Sequence, residues 1–337
     1  MKKILYYVTD NGLGHLTRTI SIIREFDNDI EFIIRHSNEN FIKKSLPTST
    51  VITGKTDQGA ILHDDQVSIN WKKTKQIMND WYFDFEKKTI NETKIIENLR
   101  PDLIISDISP IPFLPAKELN IPTLAISNFT WIDFMKDLPS LPSDFLINSY
   151  ESATLAIQLP LSTQMDIFHN KRKTDMVSKF PTENRDKIRK KLGLTNSDFM
   201  LFINLPNFYK LSLSTKKNLK VFSTGATTNV LETEYIKPWI EGQNLNLAAD
   251  LVLSKCGYGM ISECLTSGTP FKFLIDKTHP EQIAMNKYLN SLNLGNQIFA
   301  NDSGEIKLEI NDDTVNRFEP FKRRNLDVKN MIMEFFK

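Results

Sequence analysis

The chain has 337 residues, more than one hydrophobic core usually serves, so two domains are expected. Lys and Arg total 42 against 41 acidic residues, a formal net charge of +1, which supplies no broad electrostatic footprint for nucleic acid. Apolar residues at 40% and charged residues at 25% are ordinary for a soluble globular protein, and the two cysteines, Cys256 and Cys264, exclude a disulfide scaffold and argue against structural zinc.

The N-terminal apolar stretch is about five residues long and ends at Asp10 and Asn11, too short for a signal peptide. No run approaches the roughly 20 apolar residues of a membrane span, so a cytoplasmic protein is expected. Short apolar runs then alternate with helix-like stretches, the pattern of a parallel sheet wrapped by helices. Ile4–Val8 reads as a buried strand and Leu16–Phe26 as the following helix. Glu31–Arg35 is the next strand, Asn40–Ser45 a short helix and Thr50–Thr53 a third strand. Trp71–Leu99 reads as one long amphipathic helix with Ile77, Trp81, Phe85, Ile90 and Ile95 among its apolar positions, ended by Pro101. Leu103–Ile105, closed by Ser106 and Asp107, is a strand; Leu114–Leu119 is a crossover to strand Thr123–Ser127.

Around Leu159–Lys179 the pattern loosens, and the polar stretch from His169 to Lys173 reads as the approach to a domain boundary. Asn184–Leu192 is helical, stopped by Gly193. A second alternation supplies strands Met200–Asn204, Lys220–Thr224, Leu251–Ser254 and Phe271–Ile275, and a final helix covers roughly Arg324–Phe336. The expected fold is α/β, with two doubly wound Rossmann-like domains over 1–165 and 180–319, facing across a cleft where ligands bind.

Two glycine loops carry the chemistry. Gly12 and Gly14 sit between the first strand and helix, where the backbone turns sharply and the helix start favours negative charge. His15 and Arg18, three residues apart, share one face at that start. A neutral imidazole there accepts a proton from a hydroxyl, and a guanidinium clamps phosphate; a buried structural histidine is the other reading. Asp107, at a strand end, competes with His15 for the role of base. Asn128 follows a strand and is expected at the cleft, with Trp131 either stacked on an acceptor or buried.

In the second loop, Lys255-Cys-Gly-Tyr-Gly-Met-Ile-Ser-Glu263, backbone N–H groups around Gly257, Tyr258 and Gly259 suit a diphosphate. Ser262 and Glu263 are placed in the first turn of the next helix, where a carboxylate suits the vicinal hydroxyls of a ribose. Glu281 and Gln282 begin a later helix and suit sugar hydroxyls; a solvated helix start uses the same residues.

These residues resemble the GT-B glycosyltransferases, among them the bacterial family that adds N-acetylglucosamine to a lipid-linked muramyl peptide. They are closer still to the glycosyltransferase-like N-terminal region of arabinokinase-type proteins. The resemblance rests on Tyr6-Tyr-Val-Thr, Gly12-Leu-Gly-His-Leu-Thr-Arg18, Ser106-Asp107, Asn128-Phe-Thr-Trp131, Arg189-Lys-Lys-Leu-Gly193 and Lys255–Glu263. It implies a donor ribose on Glu263, a donor sugar near Gln282, and a first glycine loop facing acceptor and diphosphate. It also implies that the C-terminal helix, 320–337, packs back on the first domain. The sequence departs where related proteins carry a glycine pair, reading Asn204-Leu-Pro-Asn-Phe208; Pro206 lacks an N–H.

The expected function is transfer of a sugar from a UDP-type nucleotide sugar to an acceptor hydroxyl. The alternatives are a non-catalytic nucleotide-sugar-binding protein and a nucleotide-sugar epimerase. No catalytic metal is expected: Asp27-Asn-Asp29 stands between a helix end and a strand start, away from ligands, and Asp64-Asp65 reads as a solvated loop. No cofactor is expected beyond the nucleotide sugar as co-substrate. The partners expected are that donor and a glycan, lipid-linked or small-molecule acceptor, with no nucleic acid; aromatics and lysines along Trp71–Phe85 point either to peripheral membrane contact or to core packing.

Overall fold

The computed structural model describes residues 1–27, 29–136, 138, 144–214, 218–230, 233–235, 241–310 and 316–337; Asn28, between Asp27 and Asp29, lies outside them. Two compact units emerge, one of Met1–Ile61, Asn70–Val177 and Arg324–Lys337, the other of Leu62–Ile69 and Ser178–Arg323.

The first unit is built from β1 (Lys2–Val8), α1 (Leu13–Ile23), β2 (Ile30–Arg35), α2 (Glu39–Ser45), β3 (Thr50–Ile52), α3 (Trp71–Phe83) and α4 (Phe85–Leu99). It continues with β4 (Leu103–Asp107), α5 (Phe113–Glu118), β5 (Thr123–Ser127), α6 (Trp131–Met135), α7 (Asp144–Glu151), β6 (Leu155–Gln158) and β7 (Lys171–Lys173). The strands form one parallel sheet in the order β3-β2-β1-β4-β5-β6-β7. Ile4 lies beside Phe32 on one side and Leu103 on the other. Ile4 to Val8 and Leu103 to Asp107 are fully buried, because a parallel sheet is covered on both faces. That double burial is why their sequences run apolar without alternation.

Caps mark the helix starts. Asn38 and Asn70 side chains accept from Phe41 and Lys73 backbone N–H groups, and Thr130 with Asp133 forms a reciprocal capping box on α6.

The stretch Trp71–Leu99 is two helices rather than one. The chain breaks at Asp84, where Lys88 Nζ donates to the Trp81 carbonyl left unpaired at the end of α3. Of the apolar positions read from the sequence Phe85 is buried, whereas Ile77 and Ile90 are exposed; the inward side chains are Thr74, Met78, Tyr82, Phe85, Thr89, Glu92 and Ile96. Thr74, Thr89 and Glu92 on that face are satisfied internally. Glu92 accepts from Tyr7 Oη at 2.9 Å and from Arg35 Nη2 at 2.7 Å, tying α4 to β1 and β2. The polar stretch before residue 174 is not loose chain either, since Lys171–Lys173 adds an edge strand along β6.

The second unit contains α8 (Arg185–Lys191), β8 (Phe199–Asn204), β9 (Lys210–Leu213), β10 (Leu219–Ser223), β11 (Thr227–Thr228), β12 (Thr233–Tyr235) and α9 (Gly242–Ala248). Then come β13 (Leu251–Lys255), α10 (Tyr258–Ser267), β14 (Phe271–Leu274), α11 (Pro280–Ser291) and β15 (Glu305–Leu308). Five parallel strands order as β12-β10-β8-β13-β14, and a smaller parallel sheet orders as β11-β9-β15. Among the described residues no helix connects β8 to β10. One face of the main sheet, through Leu201, Ile203 and Leu253, packs in a common core with Leu211 and Leu213 of β9 and Ile306 and Leu308 of β15. The short segment 62–69 joins this core through Val67, and Ile69 N donates to Asp276 Oδ2 at 2.6 Å.

Finally α12 (Asn325–Met333), continued by a 3-10 turn over Glu334–Phe336, returns to the first unit. Val328 and Ile332 are buried, Asn325 Nδ2 donates to the Ser21 carbonyl, and Lys329 Nζ donates to the Glu25 carbonyl beyond the end of α1. Among the described residues no helix is long and apolar enough to cross a membrane.

Gly268 ends α10 in a left-handed conformation (φ 64°), and a Cβ there would stand 2.3 Å from the Phe318 carbonyl oxygen. Gly268→Ala is expected to destabilise the protein by more than the ~1 kcal/mol of the left-handed penalty alone. Urea denaturation of the two chains measures the difference.

Candidate active site

β1 ends at Val8, and Gly12 (φ 87°) turns the chain into α1 with no side-chain cap on the helix. Gly14 falls inside the first turn of α1. His15 follows one residue later, and β4, adjacent to β1 in the sheet, delivers Asp107 to the same carboxyl edge. His15 Nδ1 lies 2.9 Å from Asp107 Oδ1. The ring is buried and meets Phe129 edge-on, with centroids 5.6 Å apart.

Arg18 does not reach outward to clamp a ligand. Its Nε donates to Asp107 Oδ2 at 2.5 Å, Nη2 to Asp107 Oδ1 at 2.5 Å, and Nη1 to Asn128 Oδ1 at 2.6 Å. Asp107 and Asn128 are fully buried and Arg18 is 2% exposed, so all three are internal. Spacing placed Arg18 on the face of His15, but the apolar surroundings there make the guanidinium the counter-charge of a buried carboxylate. Burial by itself raises the Asp107 carboxyl; the adjacent Arg18 and His15 outweigh it and hold the group below the ordinary aspartate value. The carboxylate has both oxygens engaged, and Asp107 and His15, the two candidates for the base, form one hydrogen-bonded pair. Past Asp107 the backbone turns through Ile108 at φ 57°, an uncommon conformation for a β-branched residue, with the Ile108 carbonyl accepting from Tyr150 Oη.

Two neighbours at this edge escaped the sequence reading. Asp57, fully buried after β3, accepts from Thr9 Oγ1 at 2.9 Å and from Trp131 Nε1 at 2.8 Å. Burial pushes its carboxyl up to about 6 against the pull of those two donors. Trp131 is thereby a core residue. His36, at the end of β2, has Nε2 3.1 Å from Asp10 Oδ1, and burial lowers it from the ordinary histidine value despite that aspartate.

In the second unit β13 runs into Lys255, Cys256 and Gly257, the cap of α10. Gly257 carries no side-chain cap bond, and Tyr258 and Gly259 already belong to the helix. Glu263 is in the second turn of α10 rather than the first, and Ser262 Oγ is spent on the Gly259 carbonyl at 3.1 Å. Glu263 is 7% exposed, and its Oε2 accepts from Asn246 Nδ2 at 2.7 Å. Burial drives its carboxyl up to about 7, countered by Lys179, Asn246 and Arg323. Lys255, at the strand end beside the α10 N-terminus, has its ammonium lowered by burial while Glu281 pulls it back. Glu281 and Gln282 are buried at the start of α11, and Gln282 Oε1 accepts from Asp276 N at 2.8 Å. A separate cavity of about 390 Å³ in this unit is lined by Phe208, Tyr209, Lys277 and Phe299 among others, and by none of the sequence-predicted residues. Cys256 and Cys264 are buried free thiols. Among the described residues no group of three or more His, Cys, Asp or Glu is placed to hold a metal ion.

Residues 2–318 match the family model described as Glycosyl transferase family 1. The L-arabinokinase of Arabidopsis thaliana is 22% identical over 289 residues, which are 80% of this chain and 28% of that protein. The chain thus spans under a third of the length of that relative. Among solved structures, a UDP-glucosyltransferase from Polygonum tinctorium capable of glucosylating indoxyl superposes with a TM-score of 0.59 at 12% identity, covering 99% of this chain and 89% of that one. The spinosyn rhamnosyltransferase SpnG superposes with a TM-score of 0.58 at 10% identity, covering 88% and 86%. At such low identity these likenesses show a shared GT-B architecture. The family match carries the assignment: the chain belongs to glycosyl transferase family 1.

Proposed function

We propose that the protein transfers a sugar from a UDP-type nucleotide sugar to an acceptor hydroxyl without a metal ion. The observation that carries this reading is the His15–Asp107 pair at 2.9 Å, with its carboxylate buried and ionised. With Nδ1–H directed at Asp107, Nε2 is free to take the acceptor proton. The acceptor oxygen then bonds to the anomeric carbon, the bond from that carbon to the diphosphate oxygen breaks, and its electron pair leaves on the nucleoside diphosphate. The first unit thus supplies the base and the acceptor side.

Donor binding falls to the second unit. The uncapped α10 N-terminus at Gly257–Gly259 and the Lys255 ammonium suit a diphosphate and the charge it gains on leaving. Glu263 keeps one oxygen on Asn246, leaving Oε1 to accept from a ribose hydroxyl. Glu281 and Gln282 are assigned to the donor sugar, with Gln282 offering its amide N–H because its Oε1 is held by Asp276. The relative that names UDP-glucose chemistry supports the choice of donor.

A second reading, a nucleotide-sugar-binding scaffold without transfer, is favoured by the Asn204–Phe208 segment. There β8 ends at Asn204 and the chain passes through buried Leu205 and half-buried Pro206 toward β9 instead of a glycine turn and helix. Release of UDP from UDP-glucose and UDP-N-acetylglucosamine, with water and a panel of alcohols and phenols as acceptors, separates the two; a changed sugar with UDP retained would indicate epimerisation. His15→Ala is expected to lower UDP release by about 10²–10⁴-fold while leaving UDP affinity intact, and EDTA is expected to leave the wild-type rate unchanged. Wild-type rates preserved in His15→Ala would overturn the assignment of the base.

Glu263 gives a pH signature. Its raised pKa means that the neutral form predominates below about 7 in the donor-free protein. Ribose hydroxyls bond best to the ionised form, so UDP affinity is expected to fall as pH drops through that value. Glu263→Ala is expected to weaken UDP by about tenfold or more and to flatten the pH dependence. Isothermal titration with UDP between pH 6 and 8 measures both.

A further inference from the structure

We propose that the cavity of about 390 Å³ in the second unit binds an uncharged saccharide, at a site separate from the residues assigned to the donor. The inference stands on the lining of the cavity and not on His15 as the base.

Tyr209 forms part of the wall. Its backbone N–H donates to the Pro206 carbonyl, its carbonyl accepts from Thr227 N–H, and its ring meets Phe208 edge-on with centroids 5.3 Å apart. Tyr209 is 4% exposed, yet its Oη makes no hydrogen bond among the described residues. A phenol buried to that extent ordinarily finds a partner inside the fold. Burial raises its pKa, and Asp65, which lines the same cavity, raises it further, so the hydroxyl end of the ring lies on the cavity side. Gln297, also in the lining, keeps its side-chain amide unpaired among the described residues. Phe299 adds an aromatic ring that is 65% exposed, with Lys277 Nζ 5.4 Å from its centroid.

The charged side chains of the lining are Lys277, Asp65 and Asp302, one cation against two carboxylates, so a phosphate or carboxylate ligand meets net repulsion. Asp65 is itself spent on its own turn, accepting from Val67 and Ser68 N–H groups at 2.9 Å, and the Lys277 ammonium opposes a cationic ligand. A purely aromatic ligand leaves the phenol and the amide without partners. A sugar ring answers all of them: its C–H face packs on an aromatic ring, and the hydroxyls on its rim both donate and accept. The volume is near the lower end of small-molecule sites, about 300–1,000 Å³, and gives room for roughly one or two sugar rings.

The test is a ligand-observed NMR titration of the full chain, with and without UDP, using glucose, galactose, N-acetylglucosamine, cellobiose, lactose and glucose 6-phosphate. At least one neutral sugar is expected to bind saturably whether or not UDP is present, and glucose 6-phosphate is expected to bind more weakly than glucose. Tyr209→Phe removes the hydroxyl and keeps the ring, while Phe299→Ala changes a side chain that lies mostly outside the core. Each is expected to weaken the bound sugar by about three- to tenfold. Binding of none of the neutral sugars, wild-type affinity in both variants, or tighter binding of glucose 6-phosphate than of glucose would overturn the proposal. Offering the same sugars as acceptors of UDP-glucose separates the sources: a raised KM in Phe299→Ala marks a ring of the acceptor, and an unchanged KM marks a free sugar held apart from transfer. UDP release and UDP affinity report on the base and the donor residues, so the two readings fail independently.

Discussion

A carboxylate without access to water must be answered from inside the protein, and Asp107 is such a group. Its position is set by sheet order: β4 lies next to β1, so the end of one strand meets the helix that follows the other. Two residues on that helix, one turn apart, reach the same carboxylate. The guanidinium neutralises it and the imidazole borrows from it. Asn128, at the end of the next strand, takes the remaining guanidinium nitrogen. The His15–Asp107 pair at the first sheet's carboxyl edge thus accompanies the compensation of one buried charge, and past it the chain turns through Ile108 at φ 57°.

The second unit solves the opposite problem. Glu263 is buried with one amide bond and cations at a distance, so its carboxyl is held near neutrality of charge at ordinary pH. It is an acceptor left under-committed, which suits a group meant to receive hydroxyls from outside. Asp107 is tied up on both oxygens and Glu263 on one, which separates a carboxylate fully committed within the fold from one with an acceptor oxygen to spare.

Much of this was legible in the residues because burial on both faces leaves unbroken apolar strands, as in Ile4–Val8 and Leu251–Ser254, and glycine marks the turns that follow. What stayed hidden has physical causes. Lys210–Leu213 and Glu305–Leu308 are four residues long, too short for their period-2 alternation to stand out from loop, and pairing with each other and with Thr227–Thr228 makes them a sheet. The inward face of α3 and α4 carries Thr74, Thr89 and Glu92, which no hydrophobic period reveals. Spacing put Arg18 beside His15 but was silent on whether the side chain turned to ligand or to core. Asp57 sits in a polar run from Lys55 to Gln58 that resembles surface loop and is buried by contacts distant in sequence. Lys255 was in plain view within the second glycine motif, one residue before Cys256, and its place at a strand end beside a helix start was the available signal.

The small sheet β11-β9-β15 also dictates when the molecule can fold. Lys210 pairs opposite Glu305, so the core under β8 and β13 stays open until the chain past residue 305 has left the ribosome. The first unit waits as long, because its α1 is covered by α12 at Asn325–Met333. Segment 62–69, made early, has no surface to join until the strands of the second unit exist. Closing such long loops is entropically slow. The first unit draws its last helix from residues past 324 and the second its last strand from residues past 304, so neither is a single continuous stretch of chain that closes before the other begins.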